Sequence, residues 1–515
     1  MFGPKNVRDD LQQMHSEYGN RSTKWLRNKH LSERYTGSII KHTRCSFERD
    51  CAVSSILVTG GTLVTMDARR RVITDGGILI EGSRISKVGK SSEVRIQSNA
   101  EFEIDAKGMV ILPGLIDTHV HLAQAMLRGC ADDTSLIDWL QKFVWPLQGN
   151  YDAQDGKASA ELCMLEMIKS GTTTFLESLL HTRYGFDGIA ASVETTGMRG
   201  ILSKTVMGIP GYGAAGGIMH PGMVEDGETC LREVEGYFNR WNGKANDRIR
   251  VWYGARSLGG CTPELYRQIA TGAKTLKTGV TMHLNEVRED ADYTKREFGK
   301  LPAEFMDDVG LVGPNVVYAH GVWLTEPEWK IFAKKGASVA HCPSSNMKLA
   351  SGIAKIPEMI RSGVNVGLGC DGGPSNNSYD MIREMKFASL LQKARLLDPL
   401  VMDAETVLEL VTINGARALG LDKKIGSLEV SKRADLILVS FRNPHLVPAY
   451  NPISHLVYAA TGSDVDTVII DGRIIMKNRK VLTLDEEKVI READERGARL
   501  LKRAGITIEP KWGYV

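Results

Sequence analysis

The chain has 515 residues, 42% of them apolar and 25% charged, with 65 Lys and Arg against 62 Asp and Glu and a net charge of +3. These ordinary globular values exclude a collagen-like, disulfide-scaffold or wholly disordered protein, and leave room for two or three domains or one large α/β barrel with an attachment. Residues 1–54 hold ten Lys and Arg against six Asp and Glu, so the rest of the chain is close to neutral and offers no footprint for nucleic acid or an anionic membrane.

The expected partner is therefore a small molecule. No run approaches the ~20 apolar residues that span a bilayer. No charged-then-apolar signal peptide opens the chain, and the expected compartment is the cytoplasm. The eight cysteines are scattered without a C-x-x-C pair, the usage of reduced thiols in a cytosolic protein.

In chain order, residues 1–53 are polar, broken by Gly3, Pro4, Asn20 and Ser22, and read as an N-terminal extension. A mitochondrial targeting peptide is the alternative, and Asp9, Asp10 and Glu17 count against it. From Ser54 the texture changes to short β-rich runs at 56–59, 62–65, 71–74, 77–81 and 84–88, with Gly-Gly, Asp-Gly-Gly and Gly-Ser at the joints. The same texture returns at 434–439, 465–470 and 473–476. The two stretches, 54–112 and 430–485, are expected to combine into one small composite β-sandwich.

Between them, at 113–429, apolar β-rich runs alternate with helical stretches. Eight candidate strands fall at 110–121, 172–178, 200–207, 250–257, 279–286, 316–324, 338–343 and 365–372, with helices such as 158–170, Pro263–Leu276, Glu326–Lys335 and 381–394 between them. Eight strand–helix units over about 320 residues fit a (β/α)₈ TIM barrel. The largest insertion, 208–247, follows the third strand, and residues 486–515 read as a C-terminal helical tail.

A barrel places its chemistry at the C-terminal ends of its strands. His119-Val120-His121 ends the first, and strand period two puts both imidazoles on one face. His283 lies near the end of the fifth, His320 within the sixth, and Asp371 ends the eighth. Five metal-type donors thus converge on one rim, and an N/O set of this kind suits one divalent ion, zinc first and iron second.

The run Pro-Gly-Leu-Ile-Asp-Thr-His-Val-His at 113–121, His-Leu-Asn-Glu at 283–286, Ala-His-Gly at 319–321, His-Cys-Pro-Ser-Ser-Asn at 341–346 and Asp-Gly-Gly-Pro-Ser-Asn-Asn at 371–377 resemble the amidohydrolase superfamily. The nearest branch is the 5-methylthioadenosine/S-adenosylhomocysteine deaminase and triazine-hydrolase group. The resemblance covers residues 54–485 and implies a barrel, a composite sandwich, a homo-oligomer and a single metal. It makes His119, His121, His283 and Asp371 the ligands, with His320 and Glu286 acting on water and substrate. The fourth strand ends Tyr253-Gly254-Ala255-Arg256-Ser257, without the Lys or carboxylate that would bridge a second metal.

Read in these terms, an activated water attacks an sp² ring carbon. Asp371 accepts its proton, Glu286 carries protons to the ring nitrogen and the departing amine, and His320 orients the water. The expected activity is that of an aminohydrolase on a purine-like or related nitrogen heterocycle. The alternatives are displacement of chloride or alkylamine from a triazine-like ring, or a non-catalytic scaffold.

Two departures from the family bear on substrate. Gln148 stands where the nucleoside deaminases carry a ribose-gripping glutamate, and Arg256 stands near their substrate-contacting histidine, which favours a different aminated or halogenated ring. Trp145 and His181 complete the expected substrate contacts, although Trp139 and Trp145 also read as core. Gly211–Gly216 matches G-x-G-x-x-G, but Pro221 interrupts any following helix and excludes a dinucleotide site. His341 is expected to make a structural hydrogen bond, and Asn346 and Asn376 to brace neighbouring loops.

Overall fold

The computed structural model describes residues 54–96, 98–212, 217–508 and 512. The extension at 1–53 lies outside them, as does most of the glycine-rich match at 211–216.

Eight parallel strands alternate with helices: Leu115–His121, Thr172–Leu180, Arg199–Val206, Ile249–Ala255, Val280–Leu284, Val316–His320, Ser338–His341 and Asn365–Leu368, the last resuming at Asp371–Gly372. Neighbours pair in that order, and Asp371–Gly372 pairs back onto Val120 and His121, which closes the barrel. Helices cover its outside, so most strand residues are buried on both faces, and the strands read as apolar runs rather than alternating ones. Some of the covering helices begin on side-chain caps. The Asp152 carboxylate accepts the N–H groups of Gln154 and Asp155 at the start of Ala153–Lys169, and Thr262 caps Pro263–Leu276, which opens with proline in its first turn.

The run at 110–121 is two strands, not the single one expected. Met109–Pro113 belongs to the flanking sheet and Leu115–His121 to the barrel. Gly114 is the junction. Its N–H donates to the Asp435 carbonyl, and a Cβ there would lie 2.2 Å from the Thr173 side chain, so only glycine lets the chain pass this close.

The flanking segments are hydrogen-bonded as one continuous nine-stranded sheet rather than as two separate layers. Its N-terminal part, Ser55–Val64, Val72–Glu81, Arg84–Lys90, Phe102–Asp105 and Met109–Pro113, joins its C-terminal part where Met109–Pro113 pairs antiparallel with Leu436–Ser440. Strand period two divides the side chains between two cores. Ile111, Leu436, Leu438 and Ile469 enter a small core with Ile56, Val58, Ile78 and Ile80. Val110, Leu112, Ile437, Val439, Val468 and Ile470 face the barrel and join its core. A helix at Glu486–Ala504 follows, held to the barrel by Arg496 and Arg503 on the buried Asp155 carboxylate. Among the described residues, no helix is long and apolar enough to cross a membrane.

Candidate metal centre and substrate pocket

The C-terminal ends of the first, fifth, sixth and eighth barrel strands carry His119 and His121, His283, His320 and Asp371, and the barrel's closure brings all five together. One donor atom each from His119, His283, His320 and Asp371 lie within 4.8 Å of one another. His121 belongs to the same cluster: its Nε2 is 3.2 Å from His283 Nε2 and 3.2 Å from Asp371 Oδ1. His119 Nε2 is 3.4 Å from that same oxygen.

Backbone conformation aims these groups. His320 and Asp371 adopt φ of +73° and +65°, and Asn285, two residues past His283, adopts +52°. L-residues enter this left-handed region at a cost of about 1–2 kcal/mol each, and such positions concentrate at functional sites. Here each turns a strand end into the barrel mouth. Gly369 serves the same end by absence: a Cβ there would lie 2.8 Å from the Cβ and carbonyl oxygen of His119.

The donor set fits a divalent metal. His121 Nδ1 donates to the Ser178 carbonyl at 2.6 Å, which fixes its tautomer and turns the Nε2 lone pair inward. The Nε2 atom of His119 is buried without a hydrogen-bond partner. Donor separations of 3.2–3.4 Å match the edge, about 3.3 Å, of a tetrahedron built on zinc–ligand bonds near 2.0 Å. Protonation states agree. Burial lowers the pKa of His119, and burial with the neighbouring imidazoles drives His283 well below the usual range. Burial pushes Asp371 upward, but the adjoining imidazoles of His119 and His121 outweigh it and hold the carboxyl well below the ordinary value. Its other oxygen accepts from Ser345 Oγ at 2.6 Å and Ser375 Oγ at 3.1 Å.

Glu286 and His320 form a second pair beside these donors, Oε2 and Nε2 being 3.6 Å apart. Burial, with the nearby charges of Asp371 and Asp290, pushes the Glu286 carboxyl well above the ordinary range. Burial pushes His320 down to about 3. The Asn346 amide N–H donates to His320 Nδ1 at 3.0 Å, so the imidazole proton sits on Nε2, toward Glu286. Asn346 therefore orients a ring of the site itself, which is more than the loop-bracing role expected of it. Asn376 does brace its loop, donating to the Cys370 carbonyl and to Glu384. His341 departs from expectation: it is buried, and neither ring nitrogen has a hydrogen-bond partner among the described residues. Burial depresses its pKa to about 3, so the ring sits there neutral as an apolar filler of the barrel.

Above the donors lies a pocket whose walls include Gln148, Trp145, His181 and Arg256, all buried, together with Glu286, His320 and Asp371. The four substrate-contact candidates thus share one pocket with the metal donors. Trp139 and Trp145 both line it and also pack into the main core, so the two readings of these residues are compatible. The sequence reading did not single out several wall residues, among them Gln124, three residues beyond His121; Tyr184, in the short 3-10 turn Thr182–Tyr184 after the second strand; and Met223, in the insertion after the third. A polar Gln one turn past the H-x-H pair was a detectable signal. Tyr184 and Met223 were not, because they lie in a short turn and an insertion without periodic pattern.

A model of the amidohydrolase family matches residues 110–475. A 5-methylthioadenosine/S-adenosylhomocysteine deaminase of Pelotomaculum thermopropionicum is 41% identical over 451 residues, 88% of this chain and 100% of that protein. An adenosine deaminase from Xanthomonas campestris with bound zinc superposes with a TM-score of 0.81 at 27% identity, covering 87% of this chain and 98% of that one. An atrazine chlorohydrolase from Arthrobacter aurescens complexed with zinc shares the fold, with a TM-score of 0.79 at 23% identity over 87% and 100% of the two chains.

Proposed function

Because the chain belongs to the amidohydrolase family, we propose that it is a metal-dependent aminohydrolase that deaminates an adenine-type ring, with His119, His121, His283 and Asp371 as the ligands of one zinc ion. The observation that carries the reading is the pair of carboxyl groups at the pocket floor, whose surroundings drive their proton affinities in opposite directions. Asp371, touching His119 and His121, is pulled below the ordinary carboxyl range, and Glu286, buried beside Asp371 and 3.6 Å from His320, is pushed above it. Such a split marks a base and an acid in one site.

A divalent metal bound to these donors lowers the pKa of water toward ~7 and so supplies a nucleophile at neutral pH. The residues of the chain do the rest. Asp371 takes the proton of the attacking water. Glu286 gives its proton to the ring nitrogen next to the attacked carbon, the proton collected by Asp371 passes to the departing amine, and the proton left on the added hydroxyl returns to Glu286 as the product carbonyl forms. His320, with Nε2–H toward the pocket floor, holds the attacking water in line rather than joining the ligand set. Trp145 forms a wall for the ring, while Gln148, His181 and Arg256 contact the substrate away from the metal.

Ammonia release from free purines, adenosine, 5-methylthioadenosine, S-adenosylhomocysteine and 5′-deoxyadenosine tests this directly. At least one is expected to be deaminated, with activity lost on chelation and restored by zinc. Failure of the whole panel, together with chloride release from a chlorotriazine, would favour the dehalogenating alternative instead.

The pH profile follows from Glu286. A proton donor whose pKa is raised works below that pKa and is lost as pH rises through it, so kcat/KM is expected to fall on the alkaline side. Glu286→Gln is expected to flatten that limb in its residual activity. A limb that survives the substitution assigns the titration to another group.

A further inference from the structure

Lys204 is a lysine with no solvent exposure, on the third barrel strand, and the proposed mechanism gives it no task. Burying an ammonium is costly unless it is paired and hydrogen-bonded. It is both. Its Nζ donates to Glu225 Oε2 at 2.6 Å and to the Thr205 carbonyl at 2.7 Å, and lies 3.3 Å from Glu233 Oε2 and 3.7 Å from Cys230 Sγ. Glu225, Cys230 and Glu233 resemble a small metal site taken alone, but the lysine ammonium already occupies the centre as their cation.

The other oxygen of Glu225 points the opposite way. Oε1 accepts the Thr182 N–H at 2.6 Å and faces His181 Nδ1 at 3.6 Å. His181 is 2% exposed and lines the pocket, and neither of its ring nitrogens has a hydrogen-bond partner among the described residues, the approach of Nδ1 to Glu225 being a charge–dipole contact longer than a hydrogen bond. A carboxylate can only accept, so a ring nitrogen facing it carries the imidazole proton and the opposite nitrogen carries the lone pair. Burial, the largest effect on His181, holds the ring neutral, while Lys204 and His181 keep Glu225 ionised.

Resting on the aminohydrolase reading, we propose that Lys204 and Glu225 are positioning residues that fix His181 with its Nε2 lone pair in the pocket, where it accepts a hydrogen bond from an N–H or O–H group of the substrate away from the metal. The site thereby selects substrates that present a donor there, such as a ring N–H or a sugar hydroxyl, over analogues methylated at that atom. Glu225 sits in the insertion after the third strand, two residues past the pocket-lining Met223, so the same ion pair seats that segment against the pocket wall.

Two measurements on the zinc-loaded enzyme test this. The first is the ¹⁵N resonance pattern of His181 in the unaltered protein, where the proposal expects protonated Nδ1 and unprotonated Nε2. The reverse tautomer, or an imidazolium at neutral pH, overturns it. The second is a double-mutant cycle with adenosine and 5-methylthioadenosine. Glu225→Gln and His181→Ala are each expected to raise KM about tenfold, with kcat within about twofold and zinc content unchanged. Their effects should not add, because both remove the same hydrogen bond. His181→Gln, which keeps an acceptor near the Nε2 position, should recover most of the loss. Unchanged KM, or additive effects, would contradict the proposal while leaving zinc-dependent ammonia release intact. Loss of ammonia release from unaltered enzyme would instead strike the aminohydrolase reading.

Discussion

Glu286→Gln is expected to lower kcat about a thousandfold, equivalent to roughly 4 kcal/mol, without loss of bound metal. The variant isolates the proton. Glu286 is buried with its carboxyl pushed above the ordinary range, and Gln matches the acid in size and in charge, so the exchange leaves packing and local charge as they were. The Glu286 backbone N–H still donates to Asp290 Oδ2 at 3.0 Å, which preserves the turn that places the side chain. Only the transferable proton disappears, and the ring nitrogen is left without a donor. Steady-state kinetics with metal analysis on the same preparation read both quantities. Activity within a few-fold of the unaltered protein would remove Glu286 from the proton relay.

Asp371→Ala is expected to abolish both metal binding and turnover. Asp371 Oδ1 faces His119 and His121 at 3.4 and 3.2 Å, so its loss removes the only anionic donor of the set and leaves neutral imidazoles. The substitution also strands the hydroxyl of Ser345, which donates to its other oxygen, while Ser375 keeps the Gly372 carbonyl as an acceptor. Removing a partner outside the ligand set typically weakens metal binding about 10- to 100-fold, and removing the carboxylate ligand should exceed that. Ser345→Ala provides the graded control, with affinity falling within the smaller range. Stoichiometric metal in Asp371→Ala would contradict the proposed ligand set.

The barrel and its reacting face were legible because parallel strands covered by helices leave uninterrupted apolar runs, and because the donors sit at the ends of those runs. What the sequence hid is instructive. The run at 110–121 looks like one strand, since Pro113-Gly114 sits inside continuous apolar character. Only the approach of Thr173 to Gly114 shows why the chain must leave one sheet for the other there. The left-handed turns at His320 and Asp371 fall at the ends of apolar strand runs, where the modest left-handed preference of His and Asp gives little warning of them. His341 looked like a hydrogen-bonding group and is buried without a partner, because helices and strands enclose it with no polar atom in reach. Lys204 was detectable as a charge inside a strand, and such a charge requires a counterion. Its partner Glu225, 21 positions away in an unpatterned insertion, could be found only in three dimensions.

Metal content and activity measured together on one preparation test the central claim most directly. Purified protein is expected to carry about one zinc per chain, to release ammonia from an adenine-type substrate, and to lose metal and turnover in parallel on titration with a chelator. Full ammonia release from protein shown to be free of metal would contradict the account.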